Sequence, residues 1–167
     1  MNKIHPTVII GKDVILGDGN EILPYTIIEG PVTIGNNNVI GPHVIIGCPA
    51  TDTKHTNCIH EDPRVIIGNN NIIREFSLIE QPCYEEKTIV GNDCLIMAYS
   101  HVAHDCVVRD HVIIGNASQI AGEVDIDDYA IVSGGTLVHQ FSRISKHVMI
   151  QGGSRIGKDI PPYTLIG

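Results

Sequence analysis

Residues 90–126 read VGNDCLIMAYSHVAHDCVVRDHVIIGNASQIAGEVDI. Every sixth position is a β-branched aliphatic: Val90, Ile96, Val102, Val108, Ile114, Ile120 and Ile126. Six steps of about 100° do not return to one face of an α-helix, so a helix would scatter these residues. On extended chain six is an even number, and all seven point to the same side. The period runs on through Val132, Val138, Ile144, Ile150 and Ile156. An earlier run holds Ile4, Ile10, Leu16, Ile22, Ile28, Ile34, Ile40 and Ile46, and a short one holds Ile67, Ile73 and Ile79. That makes 23 hexapeptide heads, nine of them followed directly by Gly.

The fourth residue after each head is small or β-branched, as at Val14, Thr26, Cys94, Ser100, Cys106, Val112, Ser118, Ala130 and Thr136. Short strands that turn at small residues and repeat more than twenty times predict an all-β parallel β-helix. Three hexapeptides per coil give about eight coils, spaced by ~4.8 Å along the sheet ladder. Each side is then expected to be a strand of five or six residues, and residues 1–167 a single domain. Parallel crossovers are right-handed in about 98% of cases, and composition alone does not decide the hand.

Composition agrees with stacked small layers. The 167 residues contain no Trp, 4% aromatics and 17 Gly. Nineteen acidic against eleven basic residues give a net charge of −8, which argues against a nucleic-acid partner. No apolar run reaches the ~18 residues of a membrane span, and no basic-then-apolar leader opens the chain. Five cysteines without a CxxC pair indicate neither a disulfide framework nor a zinc knuckle. A reduced, cytoplasmic protein is expected.

The frame breaks twice. Residues 48–63 (CPATDTKHTNCIHEDP) carry no head and are expected to form an external, substrate-binding loop. A smaller excursion surrounds Gln81–Ile89. Of the nine histidines, His5, His43, His55, His60, His111 and His147 read as solvated surface residues. His101 and His104 in AYSHVAHDC, and His139 in LVHQF, fall in the most regular block. One coil is 18 residues, so His104 is expected beside Gly122 and two rungs from Gln140. An imidazole next to a bare backbone N–H offers a base and an oxyanion donor for acyl transfer. On a strand Asp105 would point away from His104, so it is read either as an orienter of that imidazole or as a buried, corner-binding aspartate.

The phrases HVAHDCVV, NASQIAGEVDIDDYAIVSGGTLVHQF and HVMIQGG…DIPPYTLIG resemble the acyl-ACP:UDP-N-acetylglucosamine O-acyltransferases of lipid A synthesis. IHPTVIIG, PATDTK and PRVIIGNNNIIRE match the same family. The resemblance implies a left-handed helix and a homotrimer with active sites at subunit clefts. It implies that His104 is the general base toward a sugar 3-hydroxyl or 3-amine, and that Gly122 supplies the oxyanion N–H. By the same resemblance Asp52 and Lys54 reach the acceptor, His101, His139 and Gln140 line the cleft, and Gly152 leaves room for a longer acyl chain. The donor would be acyl-ACP phosphopantetheine or acyl-CoA, with no other cofactor and no metal, and the acceptor a UDP-sugar such as UDP-GlcNAc. Departures are Glu123 where the family has His after AG, and Ile79-Glu80-Gln81-Pro82 where it reads I-H-R-G. Gly167 falls where the family continues into a helical domain, so a short form is expected.

Arg143, Lys146, Arg155 and Lys158 cluster in sequence and are expected to meet the phosphopantetheine or carrier surface, Arg143 and Arg155 above all. Three other functions compete: an acetyl-CoA-dependent sugar-nucleotide N-acetyltransferase, a metal-dependent hexapeptide lyase using His101, His104 and His111, and a non-catalytic scaffold.

Overall fold

The computed structural model describes residues 1–53 and 60–167. The chain winds as a left-handed parallel β-helix with three flat sides. The first sheet stacks nine strands, from Lys3–Ile4 to Leu165–Ile166. The second stacks eight, from Ile9–Ile10 to Arg155–Ile156, and the third seven, from Val14–Leu16 to Arg143–Ile144. Successive heads pair rung on rung, as Ile96 with Ile114 and Ile114 with Val132.

The heads fill the interior. From Ile22 to Ile150 all are essentially inaccessible, whereas Ile4 and Ile10 in the first coil are 42% and 37% exposed. Each fully buried aliphatic contributes about 1.5–3 kcal/mol over an exposed one, so the stacked columns dominate stability.

The strands are shorter than the sequence suggests: two to four residues, not five or six. The cause lies three residues after most heads, where the backbone turns into the left-handed region. Among the described residues, fifteen that are not glycine adopt φ between 54° and 64°, spaced by six over Asp93, Tyr99, Asp105, His111, Ala117, Glu123 and Tyr129. Such a residue is uncommon singly; here it is the corner of every coil, and the small residue after it is buried inside the turn. Ser100 and Ser118 use that inward position to donate to carbonyls fifteen residues on, Gly115 and Ser133. Asn20, Asn38 and Asn71 form an internal ladder, each Oδ1 accepting the backbone N–H one coil later at 2.8–2.9 Å.

The corner residues also explain three histidines. Tyr25, His43, Phe76 and Tyr99 stack on one edge with centroids 4.9–5.1 Å apart. His111, Tyr129, His147 and Tyr163 stack on another at 4.5–5.1 Å. His43, His111 and His147, read from sequence as plain solvated residues, are rungs of these ladders.

Neither frame break interrupts the ladder. Asn38 and Asn71 pair across 33 positions at the larger break, and Asn71 meets Cys94 across 23 at the smaller. Strand Arg64–Ile67 lies between Val32–Ile34 and Lys87–Val90 in continuous register.

Candidate active site

His104 is nearly buried on the second sheet's side of the helix, two residues after head Val102. A Cβ added to Gly122 would sit 2.5 Å from His104 Cε1 and 2.6 Å from Nε2, so the imidazole lies directly over that glycine. Among the described residues Gly122 N–H donates to no other group, while its carbonyl accepts from Phe141 N–H at 3.2 Å. His104 Nδ1 lies 2.7 Å from Asp105 Oδ2.

Of the two readings of Asp105, strand alternation does not apply and the buried corner does. It is a corner residue with φ 62°, not a strand residue, and the turn swings its carboxylate back onto the imidazole. It is buried, and three consecutive backbone N–H groups donate to it: Cys83 at 2.8 Å, Tyr84 at 3.1 Å and Glu85 at 3.0 Å. Thr88 Oγ1 accepts its own N–H at 2.9 Å. The Cys83–Glu85 segment belongs to the small excursion, to which the sequence assigned no role. A carboxylate fixed by this many donors holds Nδ1 protonated and leaves Nε2 as the basic nitrogen.

Tyr84 from the same excursion tilts over His104, with ring centroids 6.0 Å apart. Burial, a hydrogen bond with Asp52 and the Asp52 charge push its phenol pKa up. The excursion therefore also touches Asp52, from the larger break. Glu123 occupies a corner one coil on from Asp105; burial first, then the charges of Asp105 and Glu85, raise its carboxyl above the ordinary value.

Glu80 is the second residue that sequence reasoning missed. It is fully buried and takes four donors: Thr51 N–H at 3.1 Å, Thr51 Oγ1–H at 2.7 Å, His101 Nε2 at 2.9 Å and His104 N–H at 3.1 Å. Burial pushes its carboxyl up, but the bonds from His101 and Thr51 outweigh it and hold the group below the usual carboxylate range. The family departure at Glu80 was visible in the sequence; its burial and its partners, 21 to 29 residues away, were not.

A groove of about 290 Å³ runs past these groups, lined by Thr51, Asp52, His101, His104, Gln119, Gly122, Leu137 and Gln140 among others. The structure thus gathers Asp52, His101, His104, Gly122 and Gln140. His139 is exposed beside the groove, its Nδ1 3.1 Å from the Gln140 carbonyl. Lys54 lies outside the described residues. Along the second sheet His101, Gln119, Leu137 and Arg155 pair in one outward row, leading to a second concavity lined by Gly152 and Arg155.

The basic cluster of the C-terminal region is not one patch. Arg155 lies on the second sheet, Arg143 on the third, and Lys146 sits over the Tyr163 ring at 5.8 Å. Neighbours in sequence are turned onto different sides by the three-sided coil. His111 likewise stands in its ring stack after third-sheet strand Val107–Val108, and the described residues contain no group of three or more metal-ligating side chains.

A left-handed coil with a period of six residues defines the hexapeptide-repeat class of proteins. The family model described as bacterial transferase hexapeptide (six repeats) matches residues 13–48 and 87–122. Within that class, the chain belongs to the UDP-N-acetylglucosamine O-acyltransferase family. A solved UDP-N-acetylglucosamine acyltransferase from Bacteroides fragilis superposes with TM-score 0.86 and 41% identity, over 98% of this chain and 68% of that one. The acyl-[acyl-carrier-protein]–UDP-N-acetylglucosamine O-acyltransferase of Helicobacter pylori is 42% identical over 109 residues, 64% of this chain and 40% of the relative. That of Pseudomonas paraeruginosa is 39% identical over 69% of this chain and 45% of its own. The chain spans less than half the length of these curated relatives.

Proposed function

We propose that the protein transfers an acyl group from acyl-ACP, or from acyl-CoA, to the 3-hydroxyl or an amino group of a UDP-sugar such as UDP-GlcNAc. The observation that carries this reading is the His104 imidazole, lying against Gly122 and held through Nδ1 by Asp105.

His104 Nε2 takes the proton of the attacking hydroxyl as the oxygen bonds to the thioester carbon. The carbonyl electrons move onto oxygen, and Gly122 N–H donates to that developing charge. Collapse breaks the carbon–sulfur bond, and the proton on His104 passes to the departing sulfur. Asp105 keeps Nδ1–H in place and stabilises the imidazolium formed midway. Nothing beyond the donor's own phosphopantetheine arm or CoA is required as cofactor. In this reading Asp52 and Gln140, which line the groove, contact the acceptor, and the row Gln119–Leu137–Arg155 contacts the donor arm, with Gly152 leaving space at its end.

The relatives' names support the substrates: they act with an acyl carrier protein and UDP-N-acetylglucosamine. A homotrimer that completes each groove from a neighbouring copy, action in the cytoplasm and a place in lipid A synthesis belong to the same proposal. No described helix is long and apolar enough to cross a membrane. The test is turnover by the wild type and His104→Ala with acyl-ACP and acyl-CoA against a panel of UDP-sugars. A loss on the order of 10²–10⁴-fold is expected; an unchanged rate overturns the assignment.

A further inference from the structure

Four donors on one carboxylate leave no latitude for its chemistry. Oε2 of Glu80 accepts two backbone N–H groups, from Thr51 and His104, both at 3.1 Å. Oε1 accepts the Thr51 hydroxyl at 2.7 Å and His101 Nε2 at 2.9 Å. Only an ionised carboxylate accepts at all four positions; an amide would turn a donor toward two of them. A neutral His101 must therefore carry its proton on Nε2, and the nitrogen left for other partners is an unprotonated Nδ1. Among the described residues Nδ1 of His101 has no hydrogen-bond partner, and the His101 side chain remains 23% exposed on the groove wall.

We propose that Glu80 is a positioning residue that fixes the tautomer of His101, so that His101 Nδ1 accepts a hydrogen bond from an O–H or N–H of the acceptor. This rests on the acyltransferase reading for the identity of the ligand, but not for the tautomer itself. It adds a polarity requirement to the acceptor: a donor group must face His101. Through Thr51, which precedes Asp52, the same carboxylate ties the acceptor loop to the strand edge that carries His104.

Glu80→Gln inverts the arrangement in a defined way. The two backbone N–H groups on the Oε2 side cannot reverse, so the amide oxygen takes that side. The new NH₂ group then faces Thr51 Oγ1 and His101 Nε2, both of which can become acceptors. His101 responds by moving its proton to Nδ1, presenting a donor where it had presented a lone pair.

The experiment uses the full chain with ¹⁵N-labelled histidine, His101 being assigned by His101→Asn. Long-range ¹H–¹⁵N spectra at the alkaline end of the titration, where the imidazole is neutral, report the tautomer. The Nε2–H form is expected in the wild type and the Nδ1–H form in Glu80→Gln; the same tautomer in both overturns the proposal. In parallel, kcat/KM is measured with a UDP-sugar acceptor and with deoxy analogues lacking one hydroxyl at a time. Glu80→Gln should lower kcat/KM for the full acceptor on the order of tenfold to a hundredfold, with little further loss on one deoxy analogue. Equal losses across every acceptor overturn the acceptor contact. If the tautomer switches while no acceptor is turned over by either protein, the acyltransferase reading fails and the Glu80–His101 coupling stands. If turnover depends on His104 but the tautomer does not switch, the reverse holds.

Discussion

Gly122→Ala is the smallest change that tests the site. The glycine lacks a positive φ, so its backbone accepts alanine and the perturbation is confined to one methyl group. That methyl would meet His104 Cε1 at 2.5 Å and Nε2 at 2.6 Å, against an ordinary contact of 3.4 Å or more. The imidazole must therefore withdraw by about 1 Å. It cannot do so freely, because Nδ1 is bound to Asp105 at 2.7 Å and Asp105 is anchored by three backbone N–H groups. Either the ring leaves its carboxylate or the 122 corner shifts away from the ring. Both separate the base from the oxyanion donor, and a misplacement of about 1 Å costs on the order of 10²-fold in rate. The assay is steady-state acyl transfer from a thioester to a UDP-sugar, with a thermal melt on the same samples. We expect kcat to fall on the order of 10²-fold with the cooperative melt preserved. Turnover within threefold of wild type at an unchanged Tm would refute the placement of the base over this glycine.

Three single contacts carry further expectations. Asp105→Asn leaves an NH₂ group facing donors and removes the charge that steadies an imidazolium, so kcat should drop by about 10²-fold or more together with Tm; a kinetic effect without any Tm change would mean the Cys83–Glu85 contacts are energetically idle. Glu80 has a folded pKa below its unfolded value, near 4.3. Its contribution is therefore fully present above about pH 4.3 and lost as pH falls through the folded value. Melts from pH 3 to 7 should show wild-type Tm declining at the acid end and a flatter profile for Glu80→Gln; parallel profiles contradict this. Tyr129→Ala removes the ring between His111 and His147, whose centroids lie 4.5 and 4.8 Å from it. It should cost about 1–3 kcal/mol by denaturant unfolding while leaving turnover unchanged.

Head residues such as Ile96, Ile114 and Val132 disclosed the fold because a period of six on extended chain is a statement about direction, and direction is what a repeat preserves. The same regularity placed His104 over Gly122, since 18 positions are one turn of the coil. What the period could not disclose is what leaves it. For Asp105 the period left strand alternation and a buried corner both open, and its φ of 62° makes it a corner, which returns its side chain to its neighbour. The backbone donors that hold Asp105, and the Thr51 donors to Glu80, come from the two breaks in the frame, where no spacing rule applies. Arg143 and Arg155 show the converse: twelve residues are two sides of a triangle, so neighbours in sequence stand on different sheets. The division has a physical basis. The coil supplies the imidazole and the glycine amide from residues one rung apart, a geometry fixed by the backbone ladder alone. The irregular segments supply the carboxylate contacts that orient the imidazole and bind the loop. A repeat makes positions, and the interruptions give those positions their protonation states. Substitutions at Glu80 and Asp105 should therefore change which nitrogen carries a proton before they change where any ring sits.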